Sequence, residues 1–281
     1  MLEDEFGDVV QKARAGLGLT VAELAERSGL TTNSIEAFEA YRERPDRAAV
    51  ERLAASLDLD AGSLWALAAG EYLPKPVSPE LGDGLEVETF TFSGPASHGY
   101  VVRGPGASLI IDPGGTASRL LEAALAGGRQ VVAILITHAH GDHVGALEPV
   151  ARAAGCPVYV HPAERLGAAL PEERIRVLTA ETPFTAGGIR IEPLFCPGHT
   201  QGGVAFAIGS GVFVGDTLFA GSLGRAASPS LYGSLIGAAV RLVEREPATK
   251  LFPGHGPATT AGEERRANPF LAHRVGPGGK A

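Results

Sequence analysis

One segment constrains this chain more than any other: residues 137–145, which read THAHGDHVG. The segment directly follows the apolar run VVAILI at residues 131–136, which predicts a buried strand. Its four candidate donors are His138, His140, Asp142 and His143. Alternate residues of an extended chain point to the same side, and Gly141 lets the backbone bend, so these donors can converge on one point. Four donors at a strand end predict a metal site with an open coordination position.

Three later segments each offer one more donor, again where a strand meets a glycine-rich turn. They are CPGHTQGG with His199, FVGDTLFAG with Asp216 and LFPGHGP with His255. A single glycine-flanked histidine is more often a turn residue than a ligand, so the weight of these segments comes from their order along the chain. Imidazole and carboxylate donors together suit zinc, iron or manganese.

The order HxHxDH, GHT, GD and GH resembles the metallo-β-lactamase superfamily over about residues 85–272. The resemblance implies an α/β fold, the αβ/βα sandwich of two mixed β-sheets flanked by helices. It also implies two divalent metal ions, with zinc expected first and iron or manganese as alternatives. By this resemblance, one metal is held by His138, His140 and His199 and the second by Asp142, His143 and His255, with Asp216 bridging the two.

Two divalent metals can lower the pKa of a shared water from about 15.7 to roughly 7 and so supply a bridging hydroxide as nucleophile. Asp142 is the residue expected to orient this water and to receive its proton. The sequence shows no obvious general acid for a poor leaving group, which favours one that departs as an anion. Thiols have pKa values of about 8.5, so thioesters are the first expected substrates and activated esters or lactones the second.

Within the superfamily, GDTLFAGSLGR and PGHGPATTAGEERRANPF look closest to the glyoxalase II-like hydrolases, which implies a metal-dependent thioesterase resembling hydroxyacylglutathione hydrolases. That subgroup usually continues after GR with a threonine or serine, an aspartate and a glycine-rich turn. Here AASPSLYG, residues 226–233, replaces that loop beside the site. The related persulfide dioxygenases remain an alternative, and a single iron would then fall to His138, His199 and Asp216.

The chain is predicted to divide into three parts. Residues 1–70 carry apolar side chains at helical spacing in five short segments, with Thr20 and Asp46 as N-caps and Gly29 as a helix stop. Residues 71–84 have three prolines and no periodicity, which indicates an extended linker. Residues 85–281 contain short β-branched runs bounded by glycine and proline, with helical stretches between some of them, as expected of the metal-binding domain.

The stretch TVAELAERSGLTTNSIEAFEA, residues 20–40, resembles the helix-turn-helix of the Cro/phage repressor-like family. The resemblance implies that the helix after Gly29 would enter a DNA groove. Val21 and Ala37 offer no hydrogen bonds where such contacts carry sequence information. Glu36 and Glu39 lie on the same helix, and the short polar candidates for contacts are Thr31, Thr32, Asn33 and Ser34.

Residues 1–70 carry seven Lys and Arg against thirteen Asp and Glu, a net charge of −6 out of −8 for the whole chain. DNA affinity depends largely on cations that neutralise phosphates, so this charge disfavours DNA as a partner. Three arginines, Arg42, Arg44 and Arg47, could still contact the DNA backbone. Two classes of function therefore compete. One is an enzyme whose helical module assembles subunits into a homo-oligomer or covers the site, and the other is a transcription factor whose metal domain senses a small molecule.

The remaining expectations concern location and neighbouring residues. The polar N-terminal sequence, the absence of a long apolar stretch and only two cysteines favour a cytoplasmic protein with a small-molecule substrate and no membrane contact. Asp112 is expected near the metals in an outer-shell role, and Cys196 in the core rather than the site. Arg225 is interpreted either as a ligand for a substrate carboxylate or as a surface ion-pair residue.

Overall fold

The computed structural model describes residues 1–93 and 96–275. The helices are α1 Phe6–Gly16, α2 Val21–Ser28, α3 Thr32–Glu39, α4 Arg47–Leu57, α5 Ala61–Ala68, α6 Ala117–Leu125, α7 Gly141–Val144, α8 Leu147–Ala154, α9 Pro229–Val243, α10 Ala261–Ala267 and α11 Ala272–Val275. The strands are β1 Glu80–Gly82, β2 Leu85–Thr91, β3 His98–Arg103, β4 Ala107–Ile111, β5 Gln130–Leu135, β6 Val158–Val160, β7 Ile175–Val177, β8 Phe184–Ala186, β9 Ile189–Phe195, β10 Val204–Ile208, β11 Gly211–Gly215, β12 Leu218–Phe219, β13 Ser222–Leu223, β14 Lys250–Pro253 and β15 Thr259–Thr260.

The strands form two mixed sheets that pack face to face. The first sheet has seven strands in the order β1-β2-β3-β4-β5-β6-β7, and the second has six in the order β15-β14-β11-β10-β9-β8. Within them, β4 pairs with β5 and β11 pairs with β14 in parallel, while most other pairs are antiparallel. Helices cover the outer faces, so the predicted α/β sandwich is confirmed.

The space between the sheets is filled by aromatic and aliphatic side chains of both. Phe213 and Phe252 stack with ring centroids 5.0 Å apart, and Tyr100 packs edge-on against both rings. Strands such as β4 and β11 are buried along their whole length, because one face meets the other sheet and the opposite face meets helices. This explains why their sequences are continuous apolar runs rather than alternating ones.

The five predicted N-terminal helices are present, and their predicted ends are confirmed. The Thr20 side chain accepts a hydrogen bond from the Glu23 amide, and the Asp46 side chain accepts one from the Ala49 amide. Gly29 ends α2 in the left-handed conformation, with φ of 66°. Local sequence therefore determines where these helices begin and end.

These helices do not form a separate core. Their buried side chains belong to one apolar cluster that also contains the outer face of the second sheet and α9. At Gly16 the approach is so close that a Cβ would lie 2.3 Å from the Tyr232 ring. The predicted linker contributes to this packing as well. Tyr72 is buried in the same cluster, and residues 80–82 form the sheet strand β1 rather than an unpaired linker. The helical unit is therefore packed against the sandwich.

Helix α9 was not predicted from the sequence. The residues 226–233 were interpreted as a loop, yet Pro229 occupies the first position of a fifteen-residue helix. Proline is favoured there because its missing amide hydrogen would have no partner in the first turn. No helix within the described ranges is long and apolar enough to cross a membrane.

Candidate metal centre

The candidate donors gather where parallel strands of both sheets end. His138 and His140 follow β5, Asp216 directly follows β11, and His255 follows β14. The carboxyl ends of parallel neighbours lie at the same edge of a sheet, and the sandwich brings the edges of its two sheets together. His199 joins them from the turn between β9 and β10. The fold thus collects donors that are far apart in sequence.

The first group comprises His138, His140, His199 and Asp216, with one donor atom of each within 4.8 Å of the others. His140 Nδ1 and His199 Nε2 are 3.0 Å apart. Asp216 Oδ2 lies 3.4 Å from His199 Nε2 and 3.9 Å from His138 Nε2. His140 is exposed, whereas His138 is buried, so this group opens to solvent on one side.

The second group comprises Asp142, His143 and His255. His255 Nε2 lies 3.3 Å from Asp142 Oδ2, and His143 Nε2 lies 3.6 Å from the same oxygen. Asp216 also reaches this group, with Oδ1 at 3.4 Å from His143 Nε2 and Oδ2 at 3.5 Å from His255 Nε2. One carboxylate therefore lies between both groups.

The structure separates Asp142 from His138 and His140, whereas the extended-chain argument placed all three at one point. The reason is local: the chain leaves the extended conformation after His140 and enters the short helix α7 at Gly141. The helical turn directs the Asp142 and His143 side chains to the second group. The six-residue motif thus serves two clusters because its backbone conformation changes in the middle.

Asp112 orients one histidine of each group. Its carboxylate accepts hydrogen bonds from the Thr137 amide at 2.8 Å, from the Thr137 hydroxyl at 2.5 Å and from His143 Nδ1 at 3.1 Å. Because the Thr137 hydroxyl donates to Asp112, its oxygen is left to accept from His138 Nδ1, 3.1 Å away. Both rings then present a bare Nε2 to the cluster. Asp112 lies close to His138 and His143, but these bonds already occupy its oxygens.

His199 is oriented by a backbone carbonyl. Its Nδ1 donates to the Arg225 carbonyl oxygen at 2.8 Å, so its Nε2 is left as an acceptor. That Nε2 faces His140 Nδ1, another ring nitrogen. Two imidazole nitrogens with inward lone pairs repel each other unless a proton or a cation lies between them.

Buried polar atoms without partners mark the same place. Among the described residues, the buried side-chain atoms that lack a hydrogen bond include three that face the donors, His138 Nε2, His143 Nε2 and Asp216 Oδ1, and His255 Nδ1 on the outer side of its ring. Such atoms are costly unless a ligand or ion satisfies them. Space is also reserved, because a Cβ at Gly254 would lie 2.1 Å from Asp216 Oδ1 and 2.6 Å from His143 Cε1. The donor set, its tautomers and its unsatisfied atoms fit divalent cations.

The electrostatics of the centre depend on burial and on the carboxylates that lie among the histidines. Burial lowers the pKa of His138 and His199. For His143, burial opposes the charge, but the carboxylate of Asp112, which accepts from Nδ1, and that of Asp216, 3.4 Å from Nε2, outweigh it and raise the pKa to about 10. Burial opposes ionisation of Asp216, yet His143 and His255 hold its pKa well below the usual value. A proton on His143 takes the position that a metal would occupy.

The sequence reasoning missed Glu164, which joins the loops of the first group. Its carboxylate accepts hydrogen bonds from the Ala139 amide at 2.7 Å and from the Gly202 amide at 3.1 Å. Ala139 lies between His138 and His140, and Gly202 follows His199 in the next loop. Only its position just after β6 could have indicated it, and an acidic residue in a loop is too common to be a signal.

Other candidates lie outside the donor groups. Burial raises the pKa of the Cys196 thiol to about 11, which leaves it protonated and unreactive at neutral pH, as expected of a core cysteine. His98 hydrogen-bonds the Gly256 carbonyl through Nε2 and supports the loop of His255. The guanidinium of Arg225 donates to Gln11 Oε1 at 2.5 Å, a contact with α1 that the sequence did not suggest.

The comparisons with known proteins agree with this geometry. Residues 94–255 match the family model of the metallo-beta-lactamase superfamily. An uncharacterized protein of Mycobacterium tuberculosis is 36% identical over 194 residues, which are 58% of this chain and 87% of that protein. The hydroxyacylglutathione hydrolase GloC of Haemophilus influenzae is 33% identical over 182 residues, 58% of this chain and 86% of that protein.

Among solved structures, TTHA1623 in a di-iron-bound form is similar with a TM-score of 0.56 and 36% identity, over 66% of this chain and 100% of that chain. The helices α1 to α5 lie outside the family match, which begins at residue 94. The sandwich, the donors at its strand ends and the match over more than half of the sequence lead to one conclusion. This chain belongs to the metallo-beta-lactamase superfamily.

Proposed function

We propose that this protein is a two-metal hydrolase that cleaves a thioester of the glyoxalase II type, or an activated ester or lactone. One metal would be held by His138, His140 and His199, the other by Asp142, His143 and His255. The observation that carries the proposal is the position of Asp216, whose Oδ2 lies 3.4 Å from His199 Nε2 and 3.5 Å from His255 Nε2. A carboxylate between two groups of donors is suited to bridge two cations.

When bound, two divalent metals supply an activated water and polarise a carbonyl oxygen. Asp142 would orient that water and receive its proton. Two observations support this role: its side chain is 23% exposed, and its Oδ2 faces both His143 and His255. Exposed His140 marks the open side from which a substrate carbonyl would approach. Asp112 and Thr137 keep the ring nitrogens of His138 and His143 aimed at the centre.

The preference for a thioester rests on the missing acid. Within the described ranges, the hydrogen-bond and ion-pair contacts of the donors include no free lysine or tyrosine that could protonate a poor leaving group. Lys12, on nearby α1, is already paired with Asp4. A thiolate leaves without a proton, since thiols have pKa values of about 8.5. The similarity to a hydroxyacylglutathione hydrolase and to the probable metallo-hydrolase YqgX of Bacillus subtilis supports the hydrolase class.

We propose zinc as the metal, with iron or manganese as the alternatives. Imidazole and carboxylate donors suit all three, and the similar protein TTHA1623 holds two irons. The test is metal analysis of untreated protein together with a panel of thioesters, lactones and glutathione persulfide. Release of thiol from a thioester with two metals bound is the expected result. Oxygen consumption with the persulfide and a single iron would instead support the dioxygenase alternative.

We propose that residues 1–70 form a helical unit that contributes to self-association rather than to DNA binding. The structure limits which residues of α3 could face DNA. Glu39 pairs with Arg14 and its side chain is only 9% exposed, so it would not face DNA, and buried Ala37 could not contact it. Glu36 and the polar residues at the start of α3 remain exposed. Salt-dependent binding of the full chain to DNA fragments, with its mass in solution, tests this proposal.

A further inference from the structure

The start of the helical unit lies against the metal centre. Glu3 Oε1 is 3.8 Å from His255 Nδ1, and the Glu3 backbone is so close that a Cβ on Gly256 would lie 3.0 Å from its nitrogen. His255 Nδ1 is one of the buried atoms without a hydrogen-bond partner. The ring presents its other nitrogen, Nε2, to Asp142 and Asp216. Nδ1 therefore points away from the donors and toward Glu3.

A buried ion pair fixes this segment. Lys12 on α1 pairs with Asp4, the residue after Glu3, and donates to the Leu223 carbonyl at 2.8 Å. Both side chains are largely buried, at 11% and 7% exposed, and the ammonium lies 4.8 Å from the centre of the Phe219 ring. Phe219 in turn packs edge-on against His255. Glu3 is thus attached to a short, anchored piece of chain.

A second contact joins α1 to the other donor group. Gln11 Oε1 accepts from the Arg225 guanidinium at 2.5 Å, and the Arg225 carbonyl accepts from His199 Nδ1 at 2.8 Å. One helix therefore contacts the support of a histidine in each group. Each contact joins a residue that precedes the family match, Glu3 or Gln11, to a residue inside it.

We propose that the helical unit completes the metal centre, with Glu3 as the positioning residue of His255 and Gln11 as the support of the loop that orients His199. This inference rests on the two-metal centre of the proposed function. When Nε2 binds a metal, the Nδ1 hydrogen becomes a stronger donor and a carboxylate acceptor fixes the ring and raises its basicity. A shift of about 1 Å brings Glu3 to hydrogen-bond distance, roughly 2.8 Å.

The experiment is a Co²⁺ titration of the metal-free full-length chain, followed by its visible absorption and by a competing chelator. The wild-type protein is expected to bind two equivalents, and a His255→Ala variant identifies the step that belongs to the second group. Glu3→Ala is expected to lower the Co²⁺ affinity of that step about 10–100-fold, because residues that hydrogen-bond a metal-bound histidine contribute about that much. The affinity of Glu3→Gln is expected to lie between those of Glu3→Ala and the wild type. Gln11→Leu is expected to weaken the other step.

The control is Glu26→Gln, which removes an exposed carboxylate of α2, a helix that packs on α3 and α4. It should leave both steps unchanged, and circular dichroism should show that every variant is folded. If Glu3→Ala binds both equivalents within about twofold of wild type, the inference is overturned and the two-metal function stands. If the wild-type protein binds only one equivalent, both are overturned.

Discussion

Two buried polar clusters of this protein both contain carboxylates and differ in how their polar atoms are satisfied. The metal centre holds carboxylates and imidazoles with several buried atoms that have no partner. The second cluster surrounds Glu264, which is fully buried. Its carboxylate accepts from the Tyr72 hydroxyl at 2.6 Å, the Thr259 hydroxyl at 2.8 Å, the Gly221 amide at 2.9 Å and Asn268 Nδ2 at 2.9 Å.

The difference separates a structural cluster from a functional one. Four donors satisfy both carboxylate oxygens of Glu264, although burial still raises its pKa. This cluster is therefore complete and joins the segment after α5, a turn before β13 and the C-terminal helices. The metal centre is incomplete with protein atoms alone, and its unsatisfied nitrogens and oxygens require a ligand. Changes in the Glu264 cluster should therefore affect stability, and changes in the metal centre should affect metal binding and turnover.

The largest effect is expected from Asp142→Asn. Loss of the carboxylate that orients the water and accepts its proton should lower turnover about 10²–10⁴-fold, while the free energy of unfolding of the metal-free protein changes little. Steady-state hydrolysis of the best thioester and urea unfolding measure the two quantities. Near-normal turnover with two metals bound would show that Asp142 does not have this role.

The next effect is expected from Asp112→Asn. An asparagine at this position cannot accept from the Thr137 amide, the Thr137 hydroxyl and His143 together, so the ring nitrogens lose their orientation. Metal affinity should fall about 10–100-fold, as measured by chelator competition.

Asp83→Asn is the matched control for that variant. Asp83 and Asp112 both have positive φ, 51° and 49°, but Asp83 is exposed. Both variants therefore place asparagine in the same left-handed backbone conformation. Equal metal affinities in the two would contradict the assigned role of Asp112.

A third effect should appear in stability alone. Glu264→Gln turns one acceptor into a donor that faces hydroxyl and amide donors, and a buried group left unsatisfied costs about 1–3 kcal/mol. We expect the free energy of unfolding to fall by about 2 kcal/mol in urea, with metal affinity unchanged. The exposed Glu244→Gln should stay within about 0.5 kcal/mol. A large loss of metal affinity in Glu264→Gln would contradict the assignment of this cluster to structure and of the metal centre to function.

The smallest effect per step is expected from a change of one pH unit. The carboxylates of Asp112 and Asp216 overcome burial and raise the pKa of His143 to about 10 in the metal-free protein. Its proton stabilises the metal-free fold below pH about 6.5, the ordinary value, and this stabilisation is lost as pH rises toward 10. Metal binding must displace that proton, so affinity should rise roughly tenfold per pH unit in this window. Chelator competition at several pH values tests this, and a flat profile would contradict it.

Sequence patterns predicted the features that depend on local chemistry. The β-branched runs between glycines and prolines became strands, and the caps Thr20, Asp46 and Gly29 bound their helices as expected. The superfamily resemblance supplied the two donor groups, which the structure brings together. Extended-chain geometry alone did not predict the separation of Asp142 from His140, because this separation depends on a helix of only four residues beginning at Gly141.

Features that depend on long-range packing could not be predicted. Glu164 gains its role only when β6 brings it beside Ala139 and Gly202. Strands β7 and β8 have three residues each, too few for a period to show. Contact between Glu3 and His255 joins residues far apart in the chain, and no local pattern encodes such a pair.

The apolar cluster shared by α1 to α5, α9 and the second sheet has a consequence for how the protein unfolds. A domain held by a flexible tether melts independently of its neighbour, but residues of one common core lose their contacts together. The helices at the start of the chain and the loops that carry the donors should therefore belong to one cooperative unit. Slow hydrogen exchange should extend from α1 into α9, and a metal ion bound at the strand ends should protect amides in both helices.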